Sequence, residues 1–170
     1  NTNLTFVNGL SLNGATRTVN VNATVTGAGA TISGVIANGS GAAGLIKGGS
    51  GVLTLTAANT FTGGTTVNGG TLALAGGNDR LTTSGSITLN GTTLDLGGGT
   101  QNMTSGSLTM NNGAAIQNGT IKYLNSSWGP GSVSAVTFGA GGGFCGSHRL
   151  LMNGGQTLTL ASGAGLSAFG

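Results

Sequence analysis

The sequence predicts an all-β fold in which short strands stack as a solenoid. Apolar residues alternate with threonines around Leu53 and Leu55, and again around Leu72 and Leu74. Successive side chains on a strand point to opposite faces, so this alternation is typical of half-buried strands. The apolar pairs also recur at a nearly constant interval, because Leu53 and Leu72 are 19 residues apart and Leu72 and Leu94 are 22 apart. Together these observations indicate stacked turns of about twenty residues.

Composition favours a folded chain without helices. Leu, Ile, Val and Phe make up about 23% of the 170 residues, above the level of roughly 20% below which highly charged chains stay disordered. No segment has the apolar spacing of three and four residues that marks a helix. We therefore predict a single segment over residues 1–170. The chain lacks an initial methionine and a signal sequence, so we expect it to be part of a longer protein.

The N-terminal part contains short predicted strands around Leu4–Phe6, Val19–Val21 and Val35–Ile36, separated by glycine-containing corners. The next segment, Gly39–Gly44, has the glycine spacing of a dinucleotide-binding loop. Such a loop opens a helix and is followed by an acidic residue about twenty positions later. Strand residues follow here instead, and position 64 is glycine. We predict a flexible corner.

Residues 45–74 contain two alternating segments joined by glycine and asparagine corners. The pattern is defined by Leu45, Lys47, Gly49, Gly51, Leu53, Leu55, Asn59, Phe61, Gly63, Thr65, Val67, Gly70 and Leu72. It resembles the autotransporter-associated β-strand repeat found in passenger domains of type V secretion proteins. The resemblance implies a right-handed parallel β-helix, displayed on the bacterial cell surface or released from it as an extracellular protein.

The recurrence of the apolar pairs predicts about eight rungs and a rod about 40 Å long. Polar Asn and Thr side chains at equivalent positions should form ladders, each bonded to its counterpart one rung away. The interior stack is predicted to contain Leu53, Leu55, Leu72, Leu74, Leu94, Leu96 and Leu108.

The corner at Gly76–Leu81 resembles half of a calcium-binding nonapeptide repeat. Calcium in such repeats is held by oxygen ligands from successive turns, and a single Asp79 cannot supply them. We predict instead that Asp79 caps backbone groups and that Arg80 is solvated.

The chain lacks the side chains that most chemistry requires. Cys145 and His148 lie close in sequence, but catalysis would also need an orienting group and an oxyanion hole. The only acids, Asp79 and Asp95, are too few for a glycosidase groove or a metal site. We therefore predict no catalytic residues, no metal, no cofactor and no enzymatic activity.

The five cations are isolated along the chain, whereas nucleic-acid binding needs clustered ones. No apolar run approaches the roughly 20 residues of a membrane helix. We predict neither nucleic-acid binding nor membrane insertion.

These expectations favour a structural rod of an autotransporter-like adhesin or surface fibre. Its ends should contact adjoining rungs of the parent chain, or identical copies arranged head to tail as a filament. Host or matrix glycans or proteins are further expected partners. The alternative is a glycan-binding or glycan-cleaving β-helix. The weak ligand candidates for it are Tyr123 and Trp128, and Trp128 lies in a predicted protruding loop at residues 125–131.

Overall fold

A computed structural model describes residues 3–23, 29–123, 135–138, 143–144, 149–151 and 157–160. They contain short strands and no helix. The strands are β1 (Leu4–Phe6), β2 (Leu10–Ser11), β3 (Arg17–Asn20), β4 (Gly29–Ile32), β5 (Ile36–Ala37), β6 (Leu45–Gly48), β7 (Val52–Leu55), β8 (Thr65–Val67), β9 (Thr71–Leu74), β10 (Ile87–Asn90), β11 (Thr93–Asp95), β12 (Thr100–Met103), β13 (Leu108–Asn111), β14 (Ala115–Gln117), β15 (Thr120–Tyr123), β16 (Ala135–Phe138), β17 (Gly143–Phe144), β18 (Arg149–Leu151) and β19 (Thr157–Leu160).

The strands form parallel sheets that run along the stack. Sheet 1 has the order β1-β4-β7-β9-β11-β14-β17, and sheet 2 has the order β3-β6-β8-β10-β13-β16-β19. On a third side lie sheet 3, β12-β15-β18, and sheet 4, β2-β5. Every strand pair among the described residues is parallel. Each strand therefore pairs with the equivalent strand one turn further along, and the all-β parallel solenoid is confirmed.

The predicted count of about eight rungs was wrong. Five turns have all their strands described between Leu4 and Asn111, and strands from two further turns follow, which gives seven strands each in sheets 1 and 2. Turn length varies more than the sequence interval suggested. Residues in register are 19 apart at Leu53 and Leu72, but 28 apart at Ile116 and Phe144.

The interior consists of apolar columns that continue from turn to turn. In sheet 1, Leu53, Leu72, Leu94 and Ile116 occupy one register position, and each is 0% exposed. Burial of a complete Leu or Ile side chain contributes about 1.5–3 kcal/mol. The predicted stack is therefore present, with one correction. Leu108 is buried in sheet 2 beside Ile87 and so lines another wall, because it lies on β13, the second of the two strands between β11 and β14.

A ladder of asparagines lies on the outer side of sheet 2. Asn90 Nδ2 donates to Asn68 Oδ1 at 2.8 Å, and Asn111 Nδ2 donates to Asn90 Oδ1 at 2.9 Å. These side chains are in equivalent positions on three successive turns. The predicted bonding of polar side chains to their counterparts one rung away is confirmed here. Among the residues that the structure describes, we find no helix that could span a membrane.

Candidate functional site

The side chain of Lys47 lies inside the solenoid. Its strand, β6, carries Leu45 and Lys47 on the interior face, and Lys47 is 0% exposed. In register it lies between Val19 of the preceding turn and Val67 of the following turn. A charged side chain is rarely buried in this way unless it is fully hydrogen bonded.

Three glycine carbonyl oxygens surround the Lys47 ammonium. Nζ donates to Gly48 O at 3.0 Å, to Gly49 O at 2.7 Å and to Gly69 O at 2.8 Å. Gly48 and Gly49 lie at the end of β6, whereas Gly69 follows β8, so the ammonium joins corners on successive turns. An ammonium has three donors, and all three are satisfied. Burial lowers the pKa of Lys47 below its ordinary value.

Glycine allows these corner carbonyls to turn inward. Gly49 has φ of 76° and Gly70 has φ of 59°, in the left-handed region that other residues rarely adopt. A Cβ on either residue would also meet the backbone of the preceding turn. The sequence pattern of Lys47 with Gly49, Gly51 and Gly70 therefore has a structural reason. The tight glycine corners present carbonyl oxygen atoms to one buried cation.

Asn59 holds together a side of the solenoid that has no strand in two successive turns. Sheet 4 ends at β5 and sheet 3 begins at β12, so the corners between β7 and β8 and between β9 and β10 lie in a gap. Buried Asn59 accepts the Ile36 backbone N–H at 2.8 Å, and its Nδ2 donates to Arg80 O at 2.7 Å. The side-chain amide thus adds to two backbone hydrogen bonds, from Thr60 N–H to Ile36 O at 2.9 Å and from Asn59 N–H to Arg80 O at 3.2 Å, and joins the turns on both sides.

Gln101 closes the same gap from the following turn. Its Oε1 accepts the Leu81 backbone N–H at 3.0 Å, and its Nε2 donates to Leu81 O at 3.1 Å. Gln101 is 1% exposed. A buried amide without such partners would cost about 1–3 kcal/mol. We did not predict this role from the sequence; the available signal was a polar residue at an interior position of β12, two residues before buried Met103.

At the corner formed by Asp79 and Arg80, the predicted capping of backbone groups by Asp79 is present. Asp79 adopts a positive φ of 53° and accepts the Asn102 backbone N–H at 2.7 Å and Asn102 Nδ2 at 2.8 Å. The prediction that Arg80 is solvated was wrong. Arg80 is half-buried, and its guanidinium donates to Thr56 O at 2.8 Å and to Asn78 O at 2.7 Å. These carbonyls point toward the corner and attract the cation.

Asp95 joins neighbouring turns on the outer face of sheet 1. Its carboxylate accepts Gln117 Nε2 at 2.7 Å, Asn118 Nδ2 at 2.9 Å and the Gly97 backbone N–H at 2.8 Å. Partial burial by itself would raise the pKa of Asp95, but these hydrogen bonds outweigh it and hold the pKa below the ordinary 3.8. Both acids of the chain are therefore engaged in contacts between turns.

Most of the remaining candidates lie outside the residues that the structure describes. Tyr123 ends strand β15, whereas Trp128, Cys145, His148 and the predicted loop 125–131 lie outside the described residues. Within the described ranges, no group of three or more His, Cys, Asp or Glu side chains could hold a metal ion.

The remaining residues of the pattern form the walls of this unit. Phe61 and Val67 are 0% exposed, and Thr65 is 3% exposed. Gly63 approaches the Ala43 backbone so closely that a Cβ would collide with it. Residues 45–74 thus fold as one shortened turn with its flanking strands, β6 to β9, and contain the buried Lys47 and Asn59.

Comparison with protein families identifies this unit. Residues 45–74 match the passenger-associated-transport-repeat family. This passenger repeat belongs to autotransporter proteins, and its match includes Lys47, Asn59 and the glycine corners. No curated protein and no solved structure is significantly similar to the chain. The passenger repeat and the parallel solenoid together support a passenger-domain β-helix, a type of segment that is secreted or exposed at the cell surface.

Proposed function

We propose that the chain is a structural rod within the passenger of an autotransporter-like adhesin or surface fibre. The observation that carries the proposal is the uninterrupted interior column of Leu53, Leu72, Leu94 and Ile116, every member of which is 0% exposed. Each turn is buried by its neighbours, so stiffness is a property of the stack as a whole. Such a segment can hold other parts of a surface protein away from the cell.

The contacts of the charged groups support a structural role rather than catalysis. Four charged side chains form hydrogen bonds to backbone or side-chain amide groups, and each has a partner on another turn. They are Lys47, Asp79, Arg80 and Asp95. A catalytic acid or base needs access to a substrate proton. These groups are used instead to join turns, which favours a protein without enzymatic activity.

The N-terminal end of the solenoid supports the proposed contact with a further rung. Leu4 is 59% exposed and Phe6 is 45% exposed, although in register they continue the columns of Ala30 and Ile32. Their strand, β1, is an edge of sheet 1, and an open edge favours pairing with another strand. We propose that it contacts an adjoining rung of the parent chain or, in a filament, an identical copy placed head to tail.

Deletion of one complete turn tests the rod. Residues Thr71 and Thr93 are in register, so removal of residues 71–92 joins equivalent points and should leave a folded rod that is shorter by about 4.8 Å. Removal of residues 71–81 deletes half a turn, disrupts the register and should prevent folding. Circular dichroism and small-angle scattering measure both outcomes. A parent passenger that loses a binding or catalytic activity through the whole-turn deletion would contradict a purely structural role.

Hydrogen exchange and light scattering test the end contact. The isolated 170-residue chain should either form end-to-end filaments as its concentration rises, or remain a monomer whose β1 amides exchange rapidly. A monomer with protected β1 amides would show that this edge is already covered, and the proposed contact would then be wrong.

A further inference from the structure

The outer face of sheet 2 presents two parallel rows of polar side chains, which we name the Thr/Asn face. One row consists of Thr66, Thr88 and Thr109, and the other consists of Asn68, Asn90 and Asn111. All six point outward, because the residues between them in β8, β10 and β13 are buried. Neighbouring strands lie about 4.8 Å apart, and residues two positions apart are separated by about 6.6 Å. The face is therefore a two-dimensional array.

In sequence and register, threonine recurs beyond these three turns. Thr109 pairs in register with Thr137, and Thr137 pairs with Thr159. The distance in sequence changes from 21 residues between Thr88 and Thr109 to 28 between Thr109 and Thr137, yet threonine recurs at the same register position. The register along sheet 2 is therefore regular although the turns differ in length.

The asparagine row is held rigid by its own hydrogen bonds, at 2.8 and 2.9 Å between successive amides. Threonine is common on strands of any function, but asparagine is depleted in strands. A face whose side chains are already ordered loses little conformational entropy when it binds. The Thr/Asn face is thus pre-organised for a ligand that has the same regularity.

The chemistry of the face restricts that ligand. Among its described outward positions there is no charged or aromatic side chain. It offers hydroxyl groups, amides and threonine methyl groups, together with Ile46 at the outward position of β6 in register with Thr66. Each of these groups contributes little by itself. Useful affinity requires many equivalent contacts made at once to an extended ligand. A sugar chain would normally also contact aromatic rings, and none is present on the described face.

We propose that the Thr/Asn face binds ice. Ice is an extended solid that presents water oxygens in a regular array on the same length scale. Waters bridging two polar groups bind nearly as well as direct hydrogen bonds, so a layer of water ordered by the threonine and asparagine rows can join the crystal surface. The outer face of sheet 1 provides an internal comparison, because its row of Thr31, Thr54, Ala73 and Asp95 is chemically mixed and contains a charge.

Partition of the 170-residue chain into slowly growing ice tests the proposal. The wild-type chain should be enriched in the ice fraction relative to the liquid. Thr88→Tyr places a protruding ring at the centre of the face and should abolish the enrichment. Thr54→Tyr makes the same change at a half-buried outward position of sheet 1 and should retain it. Circular dichroism confirms that each variant is folded, and Thr66→Lys with Thr31→Lys provides a second matched pair if either tyrosine variant does not fold.

Three results would overturn the proposal. One is a wild-type chain excluded from ice. Another is equal loss of enrichment in the sheet 1 and sheet 2 variants. The third is retention on an insoluble neutral glucan that depends on Thr88 without enrichment in ice, which would identify the face as a glycan-binding surface. The rod proposal is tested separately by the turn deletions, so failure of ice binding leaves it standing.

Discussion

Replacement of Lys47 by methionine tests whether the buried ammonium stabilises the passenger repeat. Methionine has a similar length and fills the space, but it donates no hydrogen bond. The substitution then removes the donor from three carbonyl oxygens, Gly48 O, Gly49 O and Gly69 O. Gly48 is buried, whereas Gly49 and Gly69 are half-exposed, so water can reach the last two carbonyls more easily than the first.

The expected loss of stability depends on how well water can hydrate each of the three carbonyls. An unsatisfied buried carbonyl costs about 1–3 kcal/mol, and the two partly hydrated carbonyls add a smaller cost. Removal of the charge acts in the opposite direction, because burial of an ammonium is itself unfavourable. We expect Lys47→Met to lower the free energy of unfolding by about 2–4 kcal/mol. Urea denaturation monitored by circular dichroism measures this change.

Ile46→Met is the matched control. Ile46 precedes Lys47 on β6, is half-buried and points away from the interior, so its replacement should change the free energy of unfolding by less than about 0.5 kcal/mol. If Lys47→Met were as stable as the wild-type chain, the cost of burying the charge would equal the benefit of its hydrogen bonds. The account of the three carbonyls as a stabilising site would then be wrong.

Two further predictions concern the contacts between turns. Asn59→Leu should lower the free energy of unfolding by about 2–3 kcal/mol, because the Ile36 N–H loses its buried acceptor and Arg80 O loses one of its two donors. The neighbouring exposed Thr60→Leu should have little effect in the same urea titration. The lowered pKa of Asp95 predicts that the ionised carboxylate stabilises the fold above its ordinary pKa of 3.8, and that this contribution is lost as the pH falls through the lower folded-state pKa. The difference in melting temperature between wild-type and Asp95→Asn should therefore be present at neutral pH and vanish in strong acid; a difference that is independent of pH would contradict the assignment.

The interior leucines could be predicted because alternation with a period of two residues depends only on the local chain. Leu53, Leu72 and Leu94 were therefore placed in one column correctly. The same alternation does not show which wall of the solenoid a residue lines, because that depends on how many corners precede it. Leu108 was assigned to the wrong wall, and the number of rungs was overestimated, for this reason.

The polar interior could not be predicted from composition. We counted Lys47 among the isolated cations, although its position two residues after Leu45 places both on the same face of a strand. The three oxygen atoms that surround it come from two corners 20 residues apart in sequence. Gln101 likewise pairs with Leu81 on the preceding turn. Contacts of this kind depend on the register between turns, which the local pattern does not contain.

The polar residues of the passenger repeat are explained by the missing strand on the third side of its turn. Leu53 and Leu72 are only 19 residues apart, compared with 22 for the next two pairs in the column. This turn has no strand on the third side, and neither has the 22-residue turn that follows it, so fewer backbone groups are paired there than in sheets 3 and 4. Asn59 adds side-chain hydrogen bonds to the backbone bonds on the third side, and Lys47 satisfies the inward carbonyls of the adjoining glycine corners. Where the third strand begins again, at β12, the buried amide is Gln101, which pairs backward to Leu81 of the strandless turn.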